Sequence, residues 1–102
     1  DGIKPSALPV DFANGVLRIR TKTETWVIKG EKQHKAVSYM YEQAQLGRWE
    51  LDASEILAAA YPERRTEESR KGVKMQHLFS GNEMWREFIV NPEKGKYAFK
   101  TL

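Results

Sequence analysis

A chain of 102 residues, 40% hydrophobic and 30% charged, is long enough for one hydrophobic core and too short for two. Seventeen basic against fourteen acidic residues leave a formal charge of +3, with an isoelectric point near 9.2, a balance that suits a polyanionic partner. The lack of cysteine excludes disulfide scaffolds, thiol nucleophiles and cysteine-ligated zinc.

Taken in chain order, Pro5, Ser6, Pro9 and Asn14-Gly15 mark residues 1–15 as a flexible lead-in. Val16-Leu17-Arg18-Ile19-Arg20 alternates apolar and basic residues, and Thr25-Trp26-Val27-Ile28 follows after a short polar connection. The two runs, 16–20 and 25–29, predict an antiparallel hairpin. Between Glu31 and Leu46, the residues Val37, Met40, Tyr41 and Ala44 recur at three- and four-residue steps and predict an amphipathic helix. Gly47 is placed to end it in a left-handed cap. A second helix opens at Asp52, with Glu55 three residues on as a variant of the capping box. Ile56, Leu57 and Ala60 form its core face, and Tyr61-Pro62 stops it, because the residue before proline is driven out of helical geometry.

A third helix is predicted over 66–80. Thr66 caps it, Glu67 and Glu68 suit its positive end, Met75, Leu78 and Phe79 face inward, and Gly81 closes it. The last element is a hairpin, with Glu87-Phe88-Ile89-Val90 and Lys96-Tyr97-Ala98-Phe99-Lys100 joined by Asn91-Pro92-Glu93-Lys94-Gly95. The expected order is strand, strand, three helices, strand, strand: an α+β domain over 16–102, with a three-helix bundle between an N-terminal and a C-terminal hairpin. Trp26 and Trp85 are expected to pack the sheets against the helices; Trp49, between Arg48 and Glu50, is the weakest core candidate of the three tryptophans.

Charge is distributed unevenly. From Pro62 onward nine Lys/Arg face six Asp/Glu, whereas before it eight face eight, so the whole excess lies in the C-terminal part. No acidic residue occurs between Glu68 and Glu83, which leaves most of the cations Arg70, Lys71, Lys74 and His77 without a local partner, although Glu67 and Lys71 are spaced for an ordinary i,i+4 pair.

This order of elements, with a basic third helix and a Gly95-Lys96-Tyr97-Ala98-Phe99 return strand, resembles a winged helix-turn-helix domain. The nearer resemblance is to the DNA-binding effector domains of bacterial response regulators, although here Lys96 alone separates Gly95 from Tyr97 and the leading hairpin replaces a longer sheet. The resemblance implies a duplex DNA-binding domain of a transcription regulator, with helix 66–80 in the major groove and the wing, 91–96, on backbone or minor groove. In that reading Arg70 and Lys74 approach base edges, with Gln76 a further candidate and His77 on the same helix. Lys71, Arg64, Arg65, Lys94 and Lys96 hold phosphates. The alternative is a winged-helix protein–protein interaction module within a larger assembly, docking through the end of the second helix or the edge of the 16–28 hairpin.

Other functions find no support. The serines lack a nucleophile-elbow context, capping accounts for Asp52 and Glu55, and there is no phosphate loop or dinucleotide fingerprint, so no enzyme is expected. His34 and His77 have no metal-site spacing to carboxylates, so neither a metal nor another cofactor is expected. No apolar run approaches the roughly 20 residues that span a bilayer, and no signal peptide is recognised; the expected setting is cytoplasmic, with no membrane partner. The start at Asp1 without methionine suggests a domain of a longer protein, in which a fused regulatory domain is a possible partner.

Overall fold

The computed structural model describes residues 10–19, 23–64, 66, 68–70, 72–80 and 84–100. Among the described residues it is an α+β domain of four α-helices and two three-stranded antiparallel sheets. The first sheet has the order β1 (Val10–Ala13), β2 (Val16–Ile19), β3 (Thr25–Val27). The hairpin expected at 16–29 is therefore present, and it gains a strand from the segment expected to be a flexible lead-in. The physical reason is the Asn14-Gly15 pair. Both residues take positive φ, 55° and 77°, the conformation of the two-residue turn whose twist matches that of paired strands. The register Val10↔Ile19, Phe12↔Leu17 and Leu17↔Trp26 puts the apolar side chains on one face. Residues 1–9 of the expected lead-in lie outside the described residues.

Helix α1 (Glu31–Gln45) buries Ala36, Val37, Met40 and Ala44; three of these belong to the expected stripe, whose fourth member, Tyr41, is only partly buried. It ends in a Schellman motif, in which Arg48 N–H donates to Gln43 O at 2.8 Å and Gly47 N–H to Ala44 O at 3.0 Å. Gly47 has φ 89° and space around an added Cβ, so the cost of a side chain there is backbone strain alone. Gly47→Ala is expected to lower stability by about 1–2 kcal/mol, read as a shifted urea midpoint at unchanged m-value.

Strand β4 (Leu51–Asp52) leads directly into α2 (Ala53–Ala60). The expected capping box is formed, with Asp52 N–H donating to Glu55 Oε2 at 3.0 Å. Glu55 also accepts from the Tyr39 hydroxyl at 2.6 Å and from Arg48 at 3.1 Å, which ties α1 to the start of α2.

The continuous helix expected over 66–80 is not formed. A 3₁₀ turn occupies Glu68–Arg70 and a four-residue helix α3 occupies Met75–Leu78. Thr66 does act as a cap, but its hydroxyl and that of Ser69 accept each other's backbone N–H at 3.1 and 3.2 Å, closing a single turn on itself. Gly72 then adopts φ 89° and Lys74 is extended at φ −128°, ψ 159°, so the helical path is broken twice. Glu87 and Phe88, expected in a strand, belong to helix α4 (Trp85–Phe88); the strand β5 is confined to Ile89–Val90. Trp85 and Phe88 are both buried, a three-residue spacing that suits a helix facing the core.

The final strand β6 (Lys96–Phe99) pairs with β5 through Ile89↔Phe99 and with β4 through Leu51↔Tyr97, so the second sheet has the order β4-β6-β5. The core lies against both sheets and is apolar throughout: no polar or charged residue is buried among those described. Trp26 packs on Phe79 and Phe88 with ring centroids 5.4 and 5.7 Å apart, and Phe79 stacks on Trp85 at 5.1 Å. Trp49 is half-buried, edge-on to Phe99.

Candidate nucleic-acid interface

The segment 72–80, helix α4 and the C-terminal hairpin meet around one groove of about 430 Å³, lined by Gln76, Trp85, Arg86, Ile89, Asn91 and Tyr97 among others. Its floor is aromatic and aliphatic, and its rim is polar. The Arg86 guanidinium lies 5.0 Å from the Trp85 ring centroid, a cation–π contact that orients a planar donor fork at the rim. Gln76 is exposed on α3 and presents an amide with both donor and acceptor capacity.

The hairpin tip is braced from within. The Asn91 side-chain amide donates to the carbonyls of Glu93 and Lys96, and Lys96 N–H donates to Glu93 O at 2.9 Å. Gly95, at φ 80°, supplies the left-handed residue that this turn requires. Its carbonyl accepts from Ala53 N–H at 2.8 Å, which anchors the tip to the start of α2. Residues 91–95 are all exposed.

The sequence-derived cations fall into three groups. Lys74, at the start of α3, His77 within it and Lys94 at the hairpin tip are exposed. Arg64 and Lys96 have partners inside the molecule. Arg64 donates to Ser69 O at 2.7 Å and lies 5.8 Å from the Tyr61 ring centroid. Lys96 sits 3.1 Å from Asp52, whose carboxylate, as the leading cause, raises the lysine above its ordinary value. Arg65, Lys71 and the Arg70 side chain lie outside the described residues.

Sequence reasoning did not find Arg86. Its signal is its place beside Trp85 in a segment expected to be the approach to a strand; read as a helix, the same residues put Trp85 inward and Arg86 outward. The acidic residues of the connection after α2 divide similarly. Glu63 is bonded to Lys32 of α1 at 2.7 Å, which holds its carboxyl below the usual range, and Glu68 is exposed on the 3₁₀ turn. Trp26 is 1% exposed and Trp85 7%, as expected of rings that pack the sheets against the helices, and too little for base stacking.

Among the described residues no helix is long and apolar enough to cross a membrane. No protein-family model matches the chain, and comparison with curated proteins and with solved structures gave no match.

Proposed function

We propose that this is a cytoplasmic duplex DNA-binding domain of winged helix-turn-helix type, the DNA-contacting part of a transcription regulator. The observation that carries this reading is the sheet order β4-β6-β5. A two-residue strand between α1 and α2 pairs with the return strand of the C-terminal hairpin, and the tip carrying Lys94 thereby stands beside the groove of Gln76, Arg86 and Asn91. Arg86 and Gln76 are the groups suited to base edges, the first to guanine and the second to adenine. Lys74 and Lys94 serve the phosphates, whereas Arg64 and Lys96, already held by Ser69, Tyr61 and Asp52, contribute less.

The test is a salt titration of binding to a mixed-sequence duplex. With three or four phosphates neutralised, log affinity should fall against log salt with a slope of about −3 to −4. The triple variant Lys74→Ala/Arg86→Ala/Lys94→Ala should lose most of the affinity and about half or more of the slope, about one for each phosphate-holding lysine removed. Absence of binding by the wild type at low salt, or an unchanged slope in the triple variant, sinks this reading.

The alternative, a protein-interaction module, draws on a different part of the molecule. The end of α2 is a poor docking face, because Lys32 and Arg64 lie over Tyr61 at 4.4 and 5.8 Å. The edge strand β3, with Val27 exposed, is the better one.

A further inference from the structure

Strand β3 ends the first sheet, with β2 on one side and no strand on the other among the described residues. Its register fixes which backbone groups are left over. Ile28 N–H donates to Gly15 O at 2.7 Å, and the pairing with β2 continues through Val16↔Val27, Leu17↔Trp26 and Arg18↔Thr25. Successive residues of an antiparallel strand turn their N–H and C=O groups to opposite sides. Ile28 and Trp26 therefore bond to β2, whereas Thr25 and Val27 direct both backbone groups to the free edge. Side chains alternate in step: Trp26 and Ile28 are buried, and Thr25, Val27 and Lys29 are exposed. The last three also border an open groove of about 450 Å³ beside the strand, which leaves room along the edge.

Natural sheets protect such an edge with proline, a bulge or an inward-pointing charge. None interrupts Thr25-Trp26-Val27-Ile28, and Val27 is 52% exposed. Charges stand only at the two ends, Glu24 before the strand and Lys29 after it. Both are exposed, and neither has an ion pair among the described residues. An acidic start and a basic finish complement each other when the strand is laid antiparallel against itself; laid parallel, like charges meet. We propose that β3 pairs antiparallel with β3 of a second copy of this chain, about a two-fold axis at Val27. In that register Val27 meets its own counterpart through two N–H···O=C bonds, and Thr25 faces Lys29. Glu24 comes within about 10 Å of the other copy's Lys29, close enough to escape full screening. An axis at Trp26 instead sets Glu24 against Ile28 and turns Val27 away from its counterpart. The two three-stranded sheets join edge to edge in an isologous contact, small enough that association is weak. The inference rests on the fold and not on the DNA reading.

The experiment follows the 102-residue chain by sedimentation equilibrium and amide hydrogen exchange from about 10 μM to about 1 mM, the range of weak specific association. The average mass should rise from monomer towards dimer. The Thr25 and Val27 amides, fast to exchange in dilute solution, should gain protection over the same concentrations, while Trp26 is protected throughout. Val27→Glu, an exposed substitution that sets two carboxylates at the axis, should weaken association about tenfold or more, which is ~1.4 kcal/mol. Glu24→Lys and Lys29→Glu should each weaken it about fivefold at low salt, and an equimolar mixture of these two variants should associate better than either alone. A monomer at every concentration, undiminished association in Val27→Glu, or a mixture no stronger than its components overturns the proposal. Protection of the Thr25 and Val27 amides that dilution does not change also overturns it, and gives the edge to another segment of the same chain.

Discussion

Phe88→Ala is expected to destabilise the domain by about 3–5 kcal/mol, the range for removing a fully buried aromatic ring. Phe88 is 0% exposed and its ring lies against Trp26 at 5.7 Å, so it links the last turn of α4 to the first sheet. Its carbonyl accepts from Lys100 N–H at 2.8 Å, which sets the residue at the start of the second sheet as well. Truncation would leave a cavity between two sheets that are not continuous with each other, where collapse requires both to move. For a domain whose whole stability is about 5–15 kcal/mol, that loss is a large fraction, and it corresponds to a fall in Tm of at least about 12 °C. Urea denaturation reads it directly. Val27→Ala, on an exposed side chain, serves as the reference and should stay within about 0.5 kcal/mol of wild type. A loss below about 1 kcal/mol for Phe88→Ala contradicts the place of this ring at the centre of the core.

Glu55→Ala is expected to cost about 2–3 kcal/mol, from the lost cap and the lost charge-assisted hydrogen bonds together. Partial burial pushes the Glu55 carboxyl upward, but the Tyr39 hydroxyl, the Asp52 N–H and the Arg48 guanidinium outweigh it and hold the group below its ordinary value of 4.5. A carboxylate favoured in this way stabilises the fold above the unfolded-state value, and that contribution is lost as pH falls through the lower folded-state value. Wild-type stability should therefore decline as the solution is acidified below about pH 4.5, and Glu55→Gln should flatten that part of the profile while costing stability at neutral pH. Tyr39→Phe removes one of the three donors and should give an intermediate result. An acid limb that is unchanged in Glu55→Gln assigns the slope to other carboxylates.

How much of this was legible in the sequence depended on whether the deciding interaction was local. Helices α1 and α2 were readable because their stripes, the Gly47 stop and the Asp52–Glu55 box all lie within a few residues of what they control. Asn14-Gly15 was just as local, but the prolines before it drew the whole segment into a lead-in, and the strand it turns was missed. The 66–80 stretch failed for a different reason. Its inward residues Met75, Leu78 and Phe79 keep helical spacing and are buried, yet Thr66–Ser69 closure and the left-handed Gly72 break the path between the basic residues and that apolar face. Strand β4 carried almost no signal, since two residues have no period, and its partner β6 is more than forty positions away. Of the candidate interface, the basic residues were visible in the sequence, and Lys74, His77 and Lys94 are exposed, whereas the groove that joins Gln76 to Arg86 and Asn91 depends on α4 being a helix.

The place of β6 in the second sheet has a consequence for synthesis of the protein. It is the middle strand, flanked by β4 on one side and β5 on the other, so neither neighbour has a sheet to join until residues 96–99 have left the ribosome. The strand pairings of the first sheet and the backbone bonds of α1 are available much earlier in the chain, although Trp26 waits for Phe79 and Phe88. A nascent polypeptide would thus carry a paired N-terminal half while Leu51, Ile89 and the aromatic side chains around them wait uncovered, and closure of the second sheet would come as one late step. Over that interval the unfinished chain is exposed to self-association, and its release from the exit tunnel, more than the speed of any helix, sets when the domain becomes native.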